Sequence, residues 1–427
     1  MKFSIITPTH LKNSFLNQVY ESLVAQTYEN WEWVIYLNGV KDDLDALENY
    51  TEGLSKLPLN EAIKIDPRVR IVVSNEINSK IGFNKNKAFH LGTGDVLVEV
   101  DHDDMLTPDC LEELHKAFKD PAVGFVYSNS ITYHVNNEFT PYDAYYGWTY
   151  KKVMWRDKEH YSMNSFAPTS HSMAYIWYAP DHVRAWRKSV YVSIGGHNVN
   201  LDVCDDHELV IRTYLTAKMH HINKPLYVYR ITGNNTWLER NQAIQDTTRE
   251  LFKQYAWDLA CKDAKDRGLD IVELGGGINP RAGCNINIDL EDGNITADLN
   301  NGIPLPDNSV GVINASHILE HLHDKHKIMA EIYRVLADDG WVFIQIPSTD
   351  GRGAFQDPTH VSYWNENCFW YYTRKDKAMF IRNDKIRFQE FKLDTFWWEP
   401  RSDNIAITDA WLVAIKSDKR RPHPVKI

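Results

Sequence analysis

The chain has 427 residues, 43% of them hydrophobic and 25% charged, and a formal net charge of −11. That length exceeds what one hydrophobic core usually serves, so two domains of ordinary globular composition are expected. The acidic balance, with no basic run beyond the tail KSDKRRPHPVK, disfavours nucleic acid as a partner.

In chain order, FSIIT predicts a strand and Phe15 to Gln26 an amphipathic helix. WEWVIYL and RVRIVV predict two further strands, GFNKNKAFHLG a short helix ended by Gly92, and DVLVEV another strand. Such alternation implies βαβ units and a mainly parallel sheet, whose ligands bind at the carboxyl ends of the strands. At one of those ends stand Asp101, Asp103 and Asp104. On an extended strand end, residues two apart face the same way, so Asp101 and Asp103 are expected to project together. Two carboxylates on one side suit a hard divalent cation that bridges the phosphates of a nucleotide. An EF-hand loop would require Gly where Leu106 stands. A solvated start to the helix after Pro108 and a glycosidase carboxylate pair are the remaining alternatives.

Residues 139–191 have weak periodicity and dense aromatics, as in TPYDAYYGWTYKKVMWRDKEHYSMNSF. These rings either stack on sugar faces of an acceptor or fill core beneath long loops. Residues 238–268 predict a helix closed by Gly268.

Four segments taken together, SIITPTH, SLVAQTYENWEWVIYLNG, IGFNKNKAFHLGTGDVLVEVDHDDMLTPDCL and VSIGGHNVNLDVCDDHELVIRTY, resemble an inverting family 2 glycosyltransferase of the GT-A type over roughly residues 1–235. The resemblance implies a nucleotide-sugar donor and a Mn2+ or Mg2+ ion held by Asp101 and Asp103. It implies donor contacts from Pro8, Asn38, Asn86 and Asp101. It also implies a general base on CDDHEL, which is Asp206 by position with Asp205 beside it; the bland alternative is an acidic helix start. Two positions depart from the family: Leu37 stands where an Asp usually contacts the nucleobase, and Thr232 where a His often helps to hold metal or diphosphate.

Beyond Gly268 the chain begins a new strand–glycine–helix pattern, DIVELGGGINPRAGCNINIDLEDGNITADLNNGIPLPDNSVGVINASHILEHLHD. Three glycines let a backbone approach a ligand closely, but the third glycine of a dinucleotide fingerprint is missing, since Asn279 and Pro280 follow. With EIYRVLADDGWVFIQIPS, this ordered set resembles a class I S-adenosylmethionine-dependent methyltransferase, well over 269–350 and poorly over 351–427. The resemblance implies Glu273, Gly275 and Gly277 on the methionine side, Asp289 on the ribose, Asp298 with Leu299 at the adenine, and His317 near the sulfonium. A nicotinamide-binding domain is the alternative, against which LPDNSV and RVLADDGW speak. His317, Glu320 and His321 also spell the inverted zinc-protease pattern, whose histidines would share a helical face; lining the methyl-donor pocket is their simpler role. DPTHVSYW offers Asp357, His360 and Tyr363, with His360 as a base for O-methylation or the whole as a plain turn.

The five cysteines form no CxxC pair, which fits a reducing cytoplasm and neither a disulfide framework nor a zinc knuckle. The apolar run in MKFSIITPTH is too short for a signal peptide, and no stretch approaches the roughly 18 apolar residues of a membrane span. The expectation is an α/β protein: a GT-A domain at 1–237, a helical connection at 238–268 and a Rossmann-like methyltransferase domain at 269–427. It would be a bifunctional enzyme of surface polysaccharide assembly, cytoplasmic and compatible with contact at the inner face of the membrane. It would move a sugar onto a glycan or lipid-linked glycan, and a methyl group onto a sugar hydroxyl. The rivals are the same chemistries on a nucleobase, nucleotide or protein, and a catalytically dead glycan-binding scaffold.

Overall fold

Continuous apolar runs at the start of the chain become strands covered on both faces, the usual fate of parallel strands. In the computed structural model, which describes residues 1–10, 15–38, 59–74, 76, 78–134, 141, 147–175, 180–232, 235, 239–400 and 403–417, these strands open the first of two units. The units are Met1–Tyr255 and Ala256–Ile427, and the division falls inside the long helix Asn241–Asp266.

The first unit holds β1 (Phe3–Thr9), β2 (Trp31–Leu37), β3 (Val69–Val73), β4 (Val96–Glu99) and β5 (Met105–Leu106). It continues with β6 (Val123–His134), β7 (Thr149–Trp155), β8 (Lys158–Asn164), β9 (Arg184–Arg187) and β10 (Lys218–Ile231). They form one sheet in the order β3-β2-β1-β4-β9-β6-β10-β5, with the β7–β8 hairpin attached to β6. Strands β3, β2, β1 and β4 are mutually parallel, as the alternation predicted. Beyond them β9 runs antiparallel to both β4 and β6. All seven residues of β2 are buried, including Glu32, whose carboxylate accepts from Ser4 Oγ at 2.6 Å, the Thr93 amide at 2.6 Å and Lys2 Nζ at 2.9 Å. The helix Leu16–Val24 packs Leu16, Val19 and Leu23 into the core at helical spacing. Each such side chain contributes about 1.5–3 kcal/mol by leaving water.

The turn begins directly after β4 and Val100: the Asp104 amide bonds the Asp101 carbonyl at 3.2 Å, so Asp101 and Asp103 sit on a turn and not on an extended strand end. In the aromatic segment 139–191, Trp148, Met163, Met173 and Trp186 are buried, as the core-filling alternative has it; its residues 139–140, 142–146 and 176–179 lie outside the described residues.

The second unit holds β11 (Asp270–Leu274), β12 (Ile286–Asp289), β13 (Ile295–Thr296), β14 (Val310–Ser316), β15 (Leu336–Pro347), β16 (Phe388–Trp397) and β17 (Ala406–Ala414). Their order is β13-β12-β11-β14-β15-β17-β16. The first five are parallel, and β17 and β16 close the edge antiparallel. The helix Lys325–Val335 starts on Asp324, whose carboxylate accepts from the amides of His326 and Lys327, and buries Ile328, Met329, Ile332 and Val335. The HILEH segment is not an α-helix. His317 has a left-handed backbone with φ 53, and Leu319–His321 is a single 3-10 turn, so His317 and His321 do not share a helical face. Among the described residues no helix is long and apolar enough to cross a membrane.

Candidate active sites

Three adjacent parallel strands of the first unit deliver expected donor residues at or near their carboxyl ends. Pro8 lies near the end of β1, paired with Tyr36, and Asn38 follows β2 with its amide on the Thr9 carbonyl at 2.9 Å. Asp101 follows β4, on the other side of β1. Leu37 is fully buried and belongs to the core, so the position where the family has an Asp faces no ligand here. Asn86 bonds the His197 carbonyl at 2.7 Å through its side-chain amide, so it fastens the loop before the acidic helix.

The three aspartates of the turn divide their roles. Asp104 is buried and accepts from Tyr227 Oη at 2.8 Å and from the Arg230 amide at 2.7 Å. Burial, reinforced by Asp103 and Asp101, pushes its carboxyl well above the usual range. Asp103 is raised mainly by burial, with Arg230 opposing. Asp101 and Asp103 remain partly exposed, and their carboxylates are a hard oxygen donor set of the kind Mg2+ and Mn2+ take. Arg230 ties the turn down: Nε donates to the Asp103 carbonyl at 2.6 Å, one terminal nitrogen to Gln18 Oε1 at 2.7 Å, and the guanidinium covers the Phe15 ring at 4.1 Å.

The acidic pair opens the helix Asp205–Thr216. It joins a chain of buried charges. Lys85 Nζ meets Glu99 Oε1 at 2.5 Å and Asp205 at 3.9 Å, and Arg184 meets Asp206 at 2.5 Å and Glu99 at 3.9 Å. Of the three carboxylates only the Asp206 side chain keeps real exposure, at 27%. Burial would raise Asp206, but Arg184 and Lys85 outweigh it and hold the carboxyl far below its usual range. Asp205 goes the other way, pushed up to about 7 by burial, with Lys85 opposing and Asp206 and Glu99 reinforcing. Two neighbouring acids with opposed proton affinities are a common property of acid–base sites.

Lys85, Glu99, Arg184, Tyr227 and Arg230 went unrecognised from sequence. Glu99 did carry a signal: an acid inside the apolar run DVLVEV has to find a buried cation.

In the second unit, residues of the expected methyl-donor pocket fall at the carboxyl ends of adjacent parallel strands. Gly275 and Gly277 follow β11, Asp289 closes β12, Asp298 follows β13 and His317 follows β14. Gly275 has φ +70, and a Cβ there would meet Ile318 at 2.6 Å. Gly277 has φ +51 and open space where a Cβ would stand, so its backbone is accessible to a ligand. Asp289 accepts from the Gly277 amide at 3.0 Å and the Glu291 amide at 3.1 Å. Those amides, Glu291 foremost, hold its carboxyl below the usual range, which keeps an ionised acceptor for hydroxyls.

The remaining residues of that pocket look inward. Glu273 is buried and accepts from Asn314 Nδ2 at 2.8 Å and the Arg281 amide at 3.0 Å. Asp298 accepts from the Asn300 amide at 2.9 Å and caps the short turn that buries Leu299. His360 has only 7% of its side chain exposed, with Nδ1 3.0 Å from the Ala354 carbonyl and its ring 5.0 Å from that of His321.

Comparison with known proteins assigns the two units separately. Residues 4–176 match the model of Glycosyl transferase family 2, and residues 275–344 that of a Methyltransferase domain. Over 116 residues, 27% of this chain and 33% of the relative, the chain is 28% identical to a glucosyl-dolichyl phosphate glucuronosyltransferase of Haloferax volcanii. Over 265 residues, 60% of this chain and 18% of the relative, it is 24% identical to the O-antigen biosynthesis protein RfbC of Myxococcus xanthus. Among solved structures, S. aureus TarS 1-349 in complex with UDP-GlcNAc aligns with a TM-score of 0.41 and 16% identity over 59% of this chain and 65% of that one. The chain thus spans a third or less of the length of these two curated relatives. It carries a family 2 glycosyl transferase domain followed by a methyltransferase domain.

Proposed function

We propose that the first unit transfers a sugar from a nucleotide-sugar donor to a glycan hydroxyl, with inversion, and that the second methylates a sugar hydroxyl from S-adenosylmethionine. The observation that carries this is that Pro8, Asn38 and Asp101 in the first unit, and Gly277, Asp289 and Asp298 in the second, lie at or near the carboxyl ends of adjacent parallel strands, where such strands bind ligands. Surface polysaccharide assembly is the setting suggested by the O-antigen relative.

For glycosyl transfer, Asp101 and Asp103 would hold a divalent cation. Bound there, the cation supplies positive charge to the departing diphosphate. Asp206 takes the acceptor hydroxyl's proton on its carboxylate. Arg184 keeps that carboxylate ionised and oriented, and the Lys85–Glu99 pair braces Arg184 and Asp205. For methyl transfer, Asp289 would receive the ribose hydroxyls and the Gly277 backbone would face the methionine side. Bound S-adenosylmethionine supplies an activated methyl group. Phe355 and Tyr363, with rings 5.1 Å apart and exposures of 59% and 44%, offer exposed aromatic faces for the acceptor sugar in the His360 segment.

Calorimetry on the full chain tests the pair of activities. S-adenosylmethionine should bind without added metal, and one nucleotide-sugar should bind only with Mn2+ present. Binding of a nicotinamide dinucleotide in place of S-adenosylmethionine would overturn the second assignment. Donor binding indifferent to chelator would overturn the role of Asp101 and Asp103.

A further inference from the structure

Among the described residues, one group brings three ligand-type side chains together: Glu320, His321 and His360, each offering an atom within 4.8 Å of the others. Two ligands about 2.1 Å from one ion lie at most about 4.2 Å apart, so a small side-chain adjustment closes the set.

The hydrogen-bond pattern suits a cation. His360 Nδ1 lies 3.0 Å from the Ala354 carbonyl, which can only accept, so Nδ1 carries a hydrogen and Nε2, 3.9 Å from Asp357 Oδ2, is the ring nitrogen available to an ion. His321 Nδ1 lies 3.2 Å from both the carbonyl and the hydroxyl of Thr359. That hydroxyl donates to Asp357 Oδ1 at 2.7 Å, so it too accepts from the ring, and His321 is likewise fixed through Nδ1. Imidazoles pinned by one nitrogen to a carbonyl, with the other left basic, are what metal-binding histidines usually show. The third member adds an independent observation. Glu320 is 2% exposed, yet its Oε2 has no hydrogen-bond partner. A carboxylate oxygen buried without a partner is costly, and a cation relieves that cost. The group is also held firmly: the amides of Val361 and Ser362 bond the Glu320 carbonyl at 2.9 and 3.0 Å, and Ser362 Oγ bonds the Leu319 carbonyl at 2.9 Å.

We propose that Glu320, His321 and His360 hold a divalent first-row transition ion, with an acceptor hydroxyl as a further ligand. Two imidazoles and one carboxylate favour Zn2+, Mn2+ or Fe2+ over Ca2+ or Mg2+, and three protein ligands leave a position open. The ion's task rests on the methyl-transfer assignment above; its binding does not. A hydroxyl bound to such an ion loses its proton more readily. The hydroxyl oxygen then forms a bond to the methyl carbon of S-adenosylmethionine as the carbon–sulfur bond breaks, its proton leaves to water, and S-adenosylhomocysteine departs neutral at sulfur. His360 is on this account a ligand and not the general base expected from DPTHVSYW.

The test uses the full chain carrying Asp103→Asn, which silences the metal position of the first unit. Co2+ uptake is followed by visible absorption and by metal analysis after gel filtration. About one Co2+ per chain is expected, with affinity falling by roughly tenfold or more in Glu320→Gln and in His321→Ala. Far-UV circular dichroism and the thermal unfolding midpoint of the metal-free chain, unchanged in both, show that the variants are folded. No uptake, or uptake that neither substitution weakens, overturns the proposal. Co2+ binding as expected in a chain that never binds S-adenosylmethionine keeps the site and removes the methyl-transfer assignment.

Discussion

Asp205 and Asp206 are adjacent in sequence and opposite in behaviour. Arg184 holds Asp206 ionised, so Asp206→Asn should cut glycosyl transfer by about a hundred- to ten-thousand-fold while donor affinity, read by calorimetry, is retained. A near-normal rate would move the base to Asp205. The neighbour makes a pH prediction. The fold raises the Asp205 carboxyl from 3.8 to about 7, so between those values the folded chain keeps a proton that the unfolded chain has lost. Its stabilising contribution is therefore complete below pH 3.8 and is lost as pH rises through about 7. Urea unfolding at pH 5 and pH 8 should show a smaller drop in stability for Asp205→Asn than for the unaltered chain; equal drops would contradict the shift. At this scale the sequence displayed the acidic residues and concealed their partners. Arg184 lies 22 residues from Asp206, and Lys85 lies 14 residues from Glu99. Contacts of that kind are made by strand order, which no local spacing encodes.

At the scale of elements, the legible parts were those with one dominant physical signal. The buried parallel strands β1, β2 and β4 are apolar runs, and the helix Leu16–Val24 follows the 3.6-residue period. The antiparallel insertion of β9 between β4 and β6 left no such mark, because pairing partners are chosen by the tertiary fold. HILEH misled for a related reason. Its histidines have helical spacing, but the His317 amide continues the sheet onto the Gln345 carbonyl at 2.8 Å, and the helix waits for its cap at Asp324. The pairing of β4 with the helix Ile81–His90 through Glu99 and Lys85 gives this scale its own test. Glu99 is fully buried and Lys85 is 8% exposed, so Glu99→Gln leaves a buried ammonium with only the more distant Asp205 carboxyl, at 3.9 Å. Losing one partner of a buried ion pair typically costs about 3–5 kcal/mol, and denaturant unfolding should read a loss of that order. A change within about 0.5 kcal/mol, the usual range for surface substitutions, would show that Lys85 finds other support.

Across the whole molecule, two domains were legible from length and from the fresh strand–glycine–helix pattern after Gly268. The division between Tyr255 and Ala256 falls inside the helical connection expected at 238–268, within one unbroken helix. The central claim is that one chain carries two separate catalytic centres. The most direct measurement compares Asp103→Asn and Asp289→Ala in the full chain, each assayed for Mn2+-dependent donor turnover and for S-adenosylmethionine affinity. Asp103→Asn should lose most donor turnover and keep its S-adenosylmethionine affinity. Asp289→Ala should keep donor turnover and weaken S-adenosylmethionine by about 1.5–3 kcal/mol, the range for hydrogen bonds to a charged group. If either substitution removes both properties from a folded chain, or neither substitution affects its own, the assignment of two independent centres is wrong.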